Sequence, residues 1–97
     1  MVKFSKYDFS EYLTTEEDIR IYLQTAFADG DPSFIAYALG NVAKARGMGK
    51  IAKKTGLNRE NLYRALSRNT KPYFETISNV ISSLGYNLTI TPQCKAA

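Results

Sequence analysis

The sequence contains no histidine and no tryptophan, and its single cysteine, Cys94, stands close to the C-terminus. A His-based general base, a Cys/His zinc site and a disulfide framework are therefore excluded. An enzyme is the least expected reading, because acid, base and nucleophile cannot be assembled from the residues that remain, and no metal or other cofactor is implied. No apolar run approaches the roughly 18 residues that a membrane span needs. The first residues, MVKFSKYDFSEYL, also lack the apolar stretch of a secretory signal. A lone thiol fits a reducing compartment, so a cytoplasmic protein without a membrane partner is expected. At 97 residues there is room for one core and one domain.

What is present is charge, unevenly placed. The formal total is only +4. Residues 1–43 carry Lys3, Lys6 and Arg20 against Asp8, Glu11, Glu16, Glu17, Asp18, Asp29 and Asp31, a net of −4. Residues 44–97 hold ten basic side chains against Glu60 and Glu75, and nine of those ten lie between Lys44 and Lys71. A dense basic stretch beside an acidic one points to a polyanion on one side and a different partner on the other.

Punctuation divides the chain into about five helices and a terminal strand. Ile19, Tyr22, Leu23, Ala26 and Phe27 form one apolar stripe at helical spacing, with Thr14 and Glu17 placed as a capping box and Gly30 as the stop. Asp31 and Pro32 open a second helix with the stripe Ile35, Ala38, Leu39 and Val42, which closes with Lys44 and Arg46 before Gly47. Two short helical units follow, 49–55 and 58–67, hinged at Gly56. Each is below the roughly 12 residues that make an isolated helix even marginal in water. A fifth helix begins near Pro72 and carries Phe74, Ile77, Val80, Ile81 and Leu84 on one face as far as Gly85. Tyr86, Leu88 and Ile90 then alternate with Asn87, Thr89 and Thr91, the period of a strand. Such a strand needs a partner, either a two-fold-related copy or the N-terminal arm near Lys3 to Tyr7. The expected organisation is an arm (1–13), a helical domain (14–85), and a strand and tail (86–97).

The stretch MGKIAKKTGLNRENLYRALS, residues 48–67, has the pattern of a helix-turn-helix. Ala52 is small where the two helices approach, and Gly56, four positions on, suits a left-handed turn. Ile51, Leu57, Leu62, Ala65 and Leu66 are spaced to anchor the second helix, and Asn58 is a good N-cap. The residues left outside suit DNA. In such motifs the second helix enters the major groove, so Asn58, Arg59, Glu60, Asn61 and Arg64 are the candidates to read bases. Arg suits guanine, Asn suits adenine, and Glu accepts from cytosine. Lys50, Lys53, Lys54, Ser67, Arg68 and Lys71 are the candidates to hold phosphates. Tyr63 suits either packing beside the helix or a sugar-phosphate contact.

Over nearly its whole length the chain resembles the HigA-like antitoxins, addiction-module antidote proteins of the phage-repressor/Cro type. The matching stretches are YDFSEYL, EEDIRIYLQTAFADGDPSFIAYALGNVAKARGM, IAKKTGLNRENLYRALS and PYFETISNVISSLGYNL. The segment from Ala28 to Met48 is the most particular to that family. The chain departs from it between Arg68 and Pro72, where Asn69, Thr70 and Lys71 stand in place of a Gly-Asn-Pro turn. The resemblance implies an all-α, five-helix repressor-like domain, here with the short C-terminal strand added, acting as a homodimer on a palindromic operator in double-stranded DNA. It also implies a neighbouring toxin of the RelE/ParE type. Such a toxin is expected to be basic, and the residues offered to it are Phe4, Tyr7, Phe9, Glu16 and Glu17 of the aromatic arm and acidic first helix. The same aromatics also suit covering the domain's own core, and the carboxylates a solvated face. Two other functions fit the pattern: a stand-alone regulator of the phage-repressor type with no toxin, and a protein-interaction adaptor that has lost DNA binding.

Overall fold

The computed structural model describes residues 9–67 and 71–92. Among them are a 3-10 turn at Phe9–Tyr12 and five α-helices: α1 (Glu16–Asp29), α2 (Pro32–Arg46), α3 (Met48–Thr55), α4 (Arg59–Ala65) and α5 (Phe74–Ser83). Helix α1 starts one residue later than expected. Thr15, in extended conformation, is the cap, its side chain accepting from the Asp18 amide at 3.0 Å. Thr14 instead donates to the Asp18 carboxylate at 3.3 Å. All three acids, Glu16 to Asp18, thereby enter the first turn, where the exposed amides favour negative charge.

Helix α2 is the centre of the domain. Asp31 caps it, Pro32 occupies its first turn, and Ala36 and 38–43 are buried, so it is enclosed on nearly every side, as a helix packed within a core must be. It touches α1, α3, α4, α5 and the 3-10 turn. Its one buried polar side chain, Asn41, donates through Nδ2 to the Tyr22 hydroxyl at 2.9 Å, which satisfies the amide and ties α2 to α1. Gly40 lies against α4. A Cβ at this position would sit 2.7 Å from the Leu66 carbonyl oxygen, so α2 and α4 meet at a distance that only glycine permits.

Helices α3 and α4 follow one another across a three-residue connection, Gly56 to Asn58. Gly56 adopts φ 80°, the left-handed region that a side chain penalises, and its N–H closes on the Ala52 carbonyl at 2.9 Å. Thr55 Oγ1 donates to the Ala52 carbonyl at 3.2 Å and accepts the Leu57 amide at 3.3 Å. Ile51, Leu62 and Leu66 enter the core with Leu39, Val42 and Val80, while Leu57 packs half-buried at its edge. That burial, about 1.5–3 kcal/mol for a fully enclosed Leu, holds two helices that local propensity alone would not. Asn79 of α5 donates to the Thr55 carbonyl at 3.3 Å and fastens the end of α3.

Two expectations fail in the last third of the chain. Helix α5 starts at Phe74, and Phe74 is exposed, off the buried face formed by Val80, Ile81 and Leu84. At the first helical position it lines the rim of an open groove of about 270 Å³ with Phe27, Pro32, Ile35 and Leu88. The predicted C-terminal strand does not form among the described residues: 86–92 carry no strand ladder and no helix. The alternating pattern is real but lacks a described partner, because pairing is what makes a strand. Lys3 to Tyr7, offered as that partner, lie outside the described residues. Tyr86 is fixed by other means. Its amide reaches the Ile81 carbonyl at 3.1 Å, and its hydroxyl donates to Glu16 at 3.4 Å. No described helix is long and apolar enough to cross a membrane.

Candidate nucleic-acid interface

The α3–α4 pair presents its polar side chains outward because its apolar ones are drawn inward. Leu62 and Leu66 are buried and Ala65 is half-buried, which leaves Arg59, Glu60, Asn61, Tyr63, Arg64 and Ser67 exposed on α4 and the turn after it. Lys50, Lys53 and Lys54 are exposed on α3, and Lys71 is exposed ahead of α5. The predicted base-reading and phosphate-holding residues within the described chain are thus all exposed, on α3, on α4 and the turns at its ends, and at Lys71. Asn58 is committed in part, its side-chain oxygen accepting the Asn61 amide at 2.7 Å as the α4 cap. The Ser67 hydroxyl donates to the Arg64 carbonyl at 3.1 Å. Arg68 lies outside the described residues.

The electrostatics of this surface differ from those of the rest of the domain. Among the described residues, Lys50, Lys53, Lys54, Arg59 and Arg64 have no carboxylate within salt-bridge distance, whereas Arg20 pairs with Glu17 at 3.8 Å and Arg46 pairs with Glu16. Side chains that stay charged and unpaired next to one another repel, a cost that an external anion removes. No described group of three or more His, Cys, Asp or Glu side chains is placed to hold a metal ion.

A second feature adjoins α4. A groove of about 230 Å³ runs between α2 and α4, with Tyr37, Lys44, Tyr63 and Ser67 on its sides and Leu66 and Met48 beneath. Sequence reasoning counted Lys44 in the basic stretch without giving it a contact, and left Tyr63 undecided. The available signal was the spacing of Arg59 and Tyr63, four residues apart along α4, with Ser67 in the turn after it.

The residues offered to a protein partner are divided. Phe4 and Tyr7 lie outside the described residues. Phe9 packs its ring 4.8 Å from that of Tyr22 and 5.6 Å from that of Tyr12, so it caps the α1–α2 contact. Glu16 is held from two sides, by Arg46 and by the Tyr86 hydroxyl. Burial raises the Tyr86 phenol above its ordinary value of 10.0, and the charge of Glu16 and the hydrogen bond to it push in the same direction. Glu17 remains exposed on the outer face of α1, with Ile21 one turn further along.

Comparison with known proteins gives this surface a setting. An uncharacterised protein of Haemophilus influenzae is 41% identical over 78 residues, which span 80% of this chain and 80% of that relative. No solved structure matches the chain. A family profile described as "Probable addiction module antidote protein" matches residues 3–92. With that match running over almost the whole chain, the protein belongs to the family of probable addiction module antidote proteins.

Proposed function

We propose that the chain is the antidote of a toxin–antidote pair: it binds and silences a small basic toxin of the RelE/ParE type and represses its own operon through a helix-turn-helix formed by α3 and α4. The observation that carries the DNA half of this reading is the run of exposed cations on α3 and α4 that have no carboxylate partner among the described residues. Arg59, Glu60, Asn61 and Arg64 then read base edges, helped by the amide of Asn58, while Lys50, Lys53, Lys54 and Lys71 hold the backbone. The protein acts as a homodimer on a palindromic site, which sets two copies of α4 about 34 Å apart. Support for dimerisation comes from large apolar side chains left in the open: Tyr73 is 82% exposed, Phe74 74% and Ile90 93%. Large apolar side chains left exposed in this way suit a self-complementary contact. The toxin meets the acidic side of the domain, where Glu17 and the exposed Ile21 of α1 lie outside the Glu16–Arg46 contact.

Two measurements test the two halves. Electrophoretic mobility shift with the DNA upstream of its own reading frame is expected to show a salt-sensitive, sequence-selective complex. No shift at any salt would leave an adaptor without DNA binding. Co-expression with the neighbouring reading frame is expected to give a stable complex with a basic protein of about 100 residues. A shift without such a neighbour would leave a stand-alone regulator.

A further inference from the structure

We infer that residues 86–91 and the apolar groove beside them form a self-complementary dimer contact, in which Ile90 of each copy fills the groove of the other. The inference rests on the homodimer of the reading above and gives it a place and a register. The groove holds about 270 Å³, and every side chain that lines it is apolar, among them Phe27, Pro32, Ile35, Phe74 and Leu88. Two residues beyond Leu88, Ile90 is almost wholly exposed. A two-fold contact sets one patch against the same patch of a second copy, so each copy must carry a hollow and a projecting side chain next to one another. Both are present here. Charge favours a second copy over any other occupant. Residues 76–94 carry no charged side chain, in a chain that is 23% charged, and none lines the groove. A basic toxin selects carboxylates and DNA selects cations, whereas a patch placed against itself escapes repulsion only when it has no net charge. None of the candidate DNA residues lines the groove either, so this contact does not compete with DNA.

The backbone supplies the register. Among the described residues, the N–H and C=O groups of 87–91 make no backbone hydrogen bond, which leaves them to pair with a strand from outside. Antiparallel pairing about a two-fold at Thr89 sets Ile90 of each copy opposite Leu88 of the other, on the face that bears the groove, because alternate residues of a strand share a face. A two-fold at Leu88 or at Ile90 carries Ile90 away from that position, and one between two residues sets Leu88 and Ile90 against polar neighbours. In the Thr89 register Tyr86 stands opposite Pro92. Pro92 has no N–H to give, and the Tyr86 amide is already bonded to the Ile81 carbonyl at 3.1 Å, so the ladder ends at both limits where donors run out.

The test uses the full chain with Cys94→Ser, so that each added cysteine is the only one present. Thr89→Cys in this background is expected to give a disulfide-linked dimer under mild oxidation, since residues opposite one another in an antiparallel pair lie about 4.5–5.5 Å apart. Asn87→Cys and Thr91→Cys are expected to stay unlinked when alone and to link to one another when mixed. Ile90→Asp is expected to raise the dimer dissociation constant about 100-fold in sedimentation equilibrium, about tenfold for the burial lost by each copy. Its helix content is expected to match the wild type, because Ile90 is exposed in the single chain. A wild-type dimer that Ile90→Asp leaves intact overturns the contact and leaves the homodimer standing, and loss of the neighbouring reading frame's product from that variant would hand the groove to the toxin. Linking at residue 87 or 91 alone, or at none of the three, overturns the register and with it the seat of Ile90. A wild-type chain that stays monomeric at micromolar concentration, with and without the upstream duplex, overturns both the contact and the homodimer.

Discussion

The two halves of this domain treat their charges in opposite ways. In α1 and α2 the arginines are answered from within: Arg20 by Glu17 at 3.8 Å, and Arg46 by Glu16, which Tyr86 also reaches. In α3 and α4, among the described residues, the cations stand exposed without carboxylates of their own. The backbone devices are alike in both halves, with Thr15, Asp31 and Asn58 as caps and Gly30 and Gly56 as left-handed stops. What differs is where electrostatic neutrality is reached. One half pairs its arginines internally; the other leaves its cations without carboxylates, and this is the ground on which a polyanion is proposed for it.

The largest test of that contrast is ionic strength. With 6 to 10 phosphates held per dimer, DNA affinity is expected to fall by roughly 10³ to 10⁵ between 50 and 200 mM salt, while thermal stability without DNA changes little over the same range. A flat binding response would place the basic half beside the acidic one as a solvated face. Next is the single side chain Arg59. Arg59→Ala is expected to cost about 1–3 kcal/mol on the cognate duplex and to relax preference at one base pair, whereas Lys53→Ala should weaken all duplexes equally. Equal losses for Arg59→Ala on cognate and random DNA would turn the base reader into another phosphate contact.

Smaller effects probe the joint between the halves. Gly40→Ala drives a methyl to 2.7 Å from the Leu66 carbonyl and must part α2 from α4, an overpacking that costs about 1–3 kcal/mol in denaturant unfolding. DNA affinity is expected to drop with it although no DNA contact is touched. Unchanged affinity in the folded fraction would mean that α4 does not depend on its seat. The smallest effect is alkaline. The Tyr86 phenol is raised, chiefly by burial and then by Glu16, so the stability this contact supplies is complete below pH 10 and is lost as pH rises through the folded value. Tyr86→Phe is expected to melt slightly below the wild type near neutrality and to lose less stability than the wild type as pH rises above 10.

Much of this was legible in the sequence because it depends on neighbours in the chain. Gly56 after Ala52, Asn58 before Arg59 and Asp31 before Pro32 are local requirements, and the structure meets each where the pattern places it. The errors came where a distant element decides. Thr14 and Thr15 are equivalent to a propensity rule, and the chain conformation before α1 selects Thr15. Residues 86–91 alternate like a strand, but alternation says nothing of what lies alongside. Glu16 reads as a free acid until Arg46, 30 residues away, is folded against it. The groove beside α4 belongs to neither helix alone. It arises from the close passage at Gly40, which in the sequence is one small residue in an apolar stripe.

The brevity of α3 and α4 has a consequence for how long the surface proposed to face DNA can persist. Helices of 8 and 7 residues have no existence as peptides in water, so the surface lasts only while α2 and α5 hold it together. A single proteolytic cut within α2 would abolish it in one event, with no smaller fragment retaining part of the grip. The lifetime of the intact chain is therefore also the lifetime of the DNA grip proposed for it.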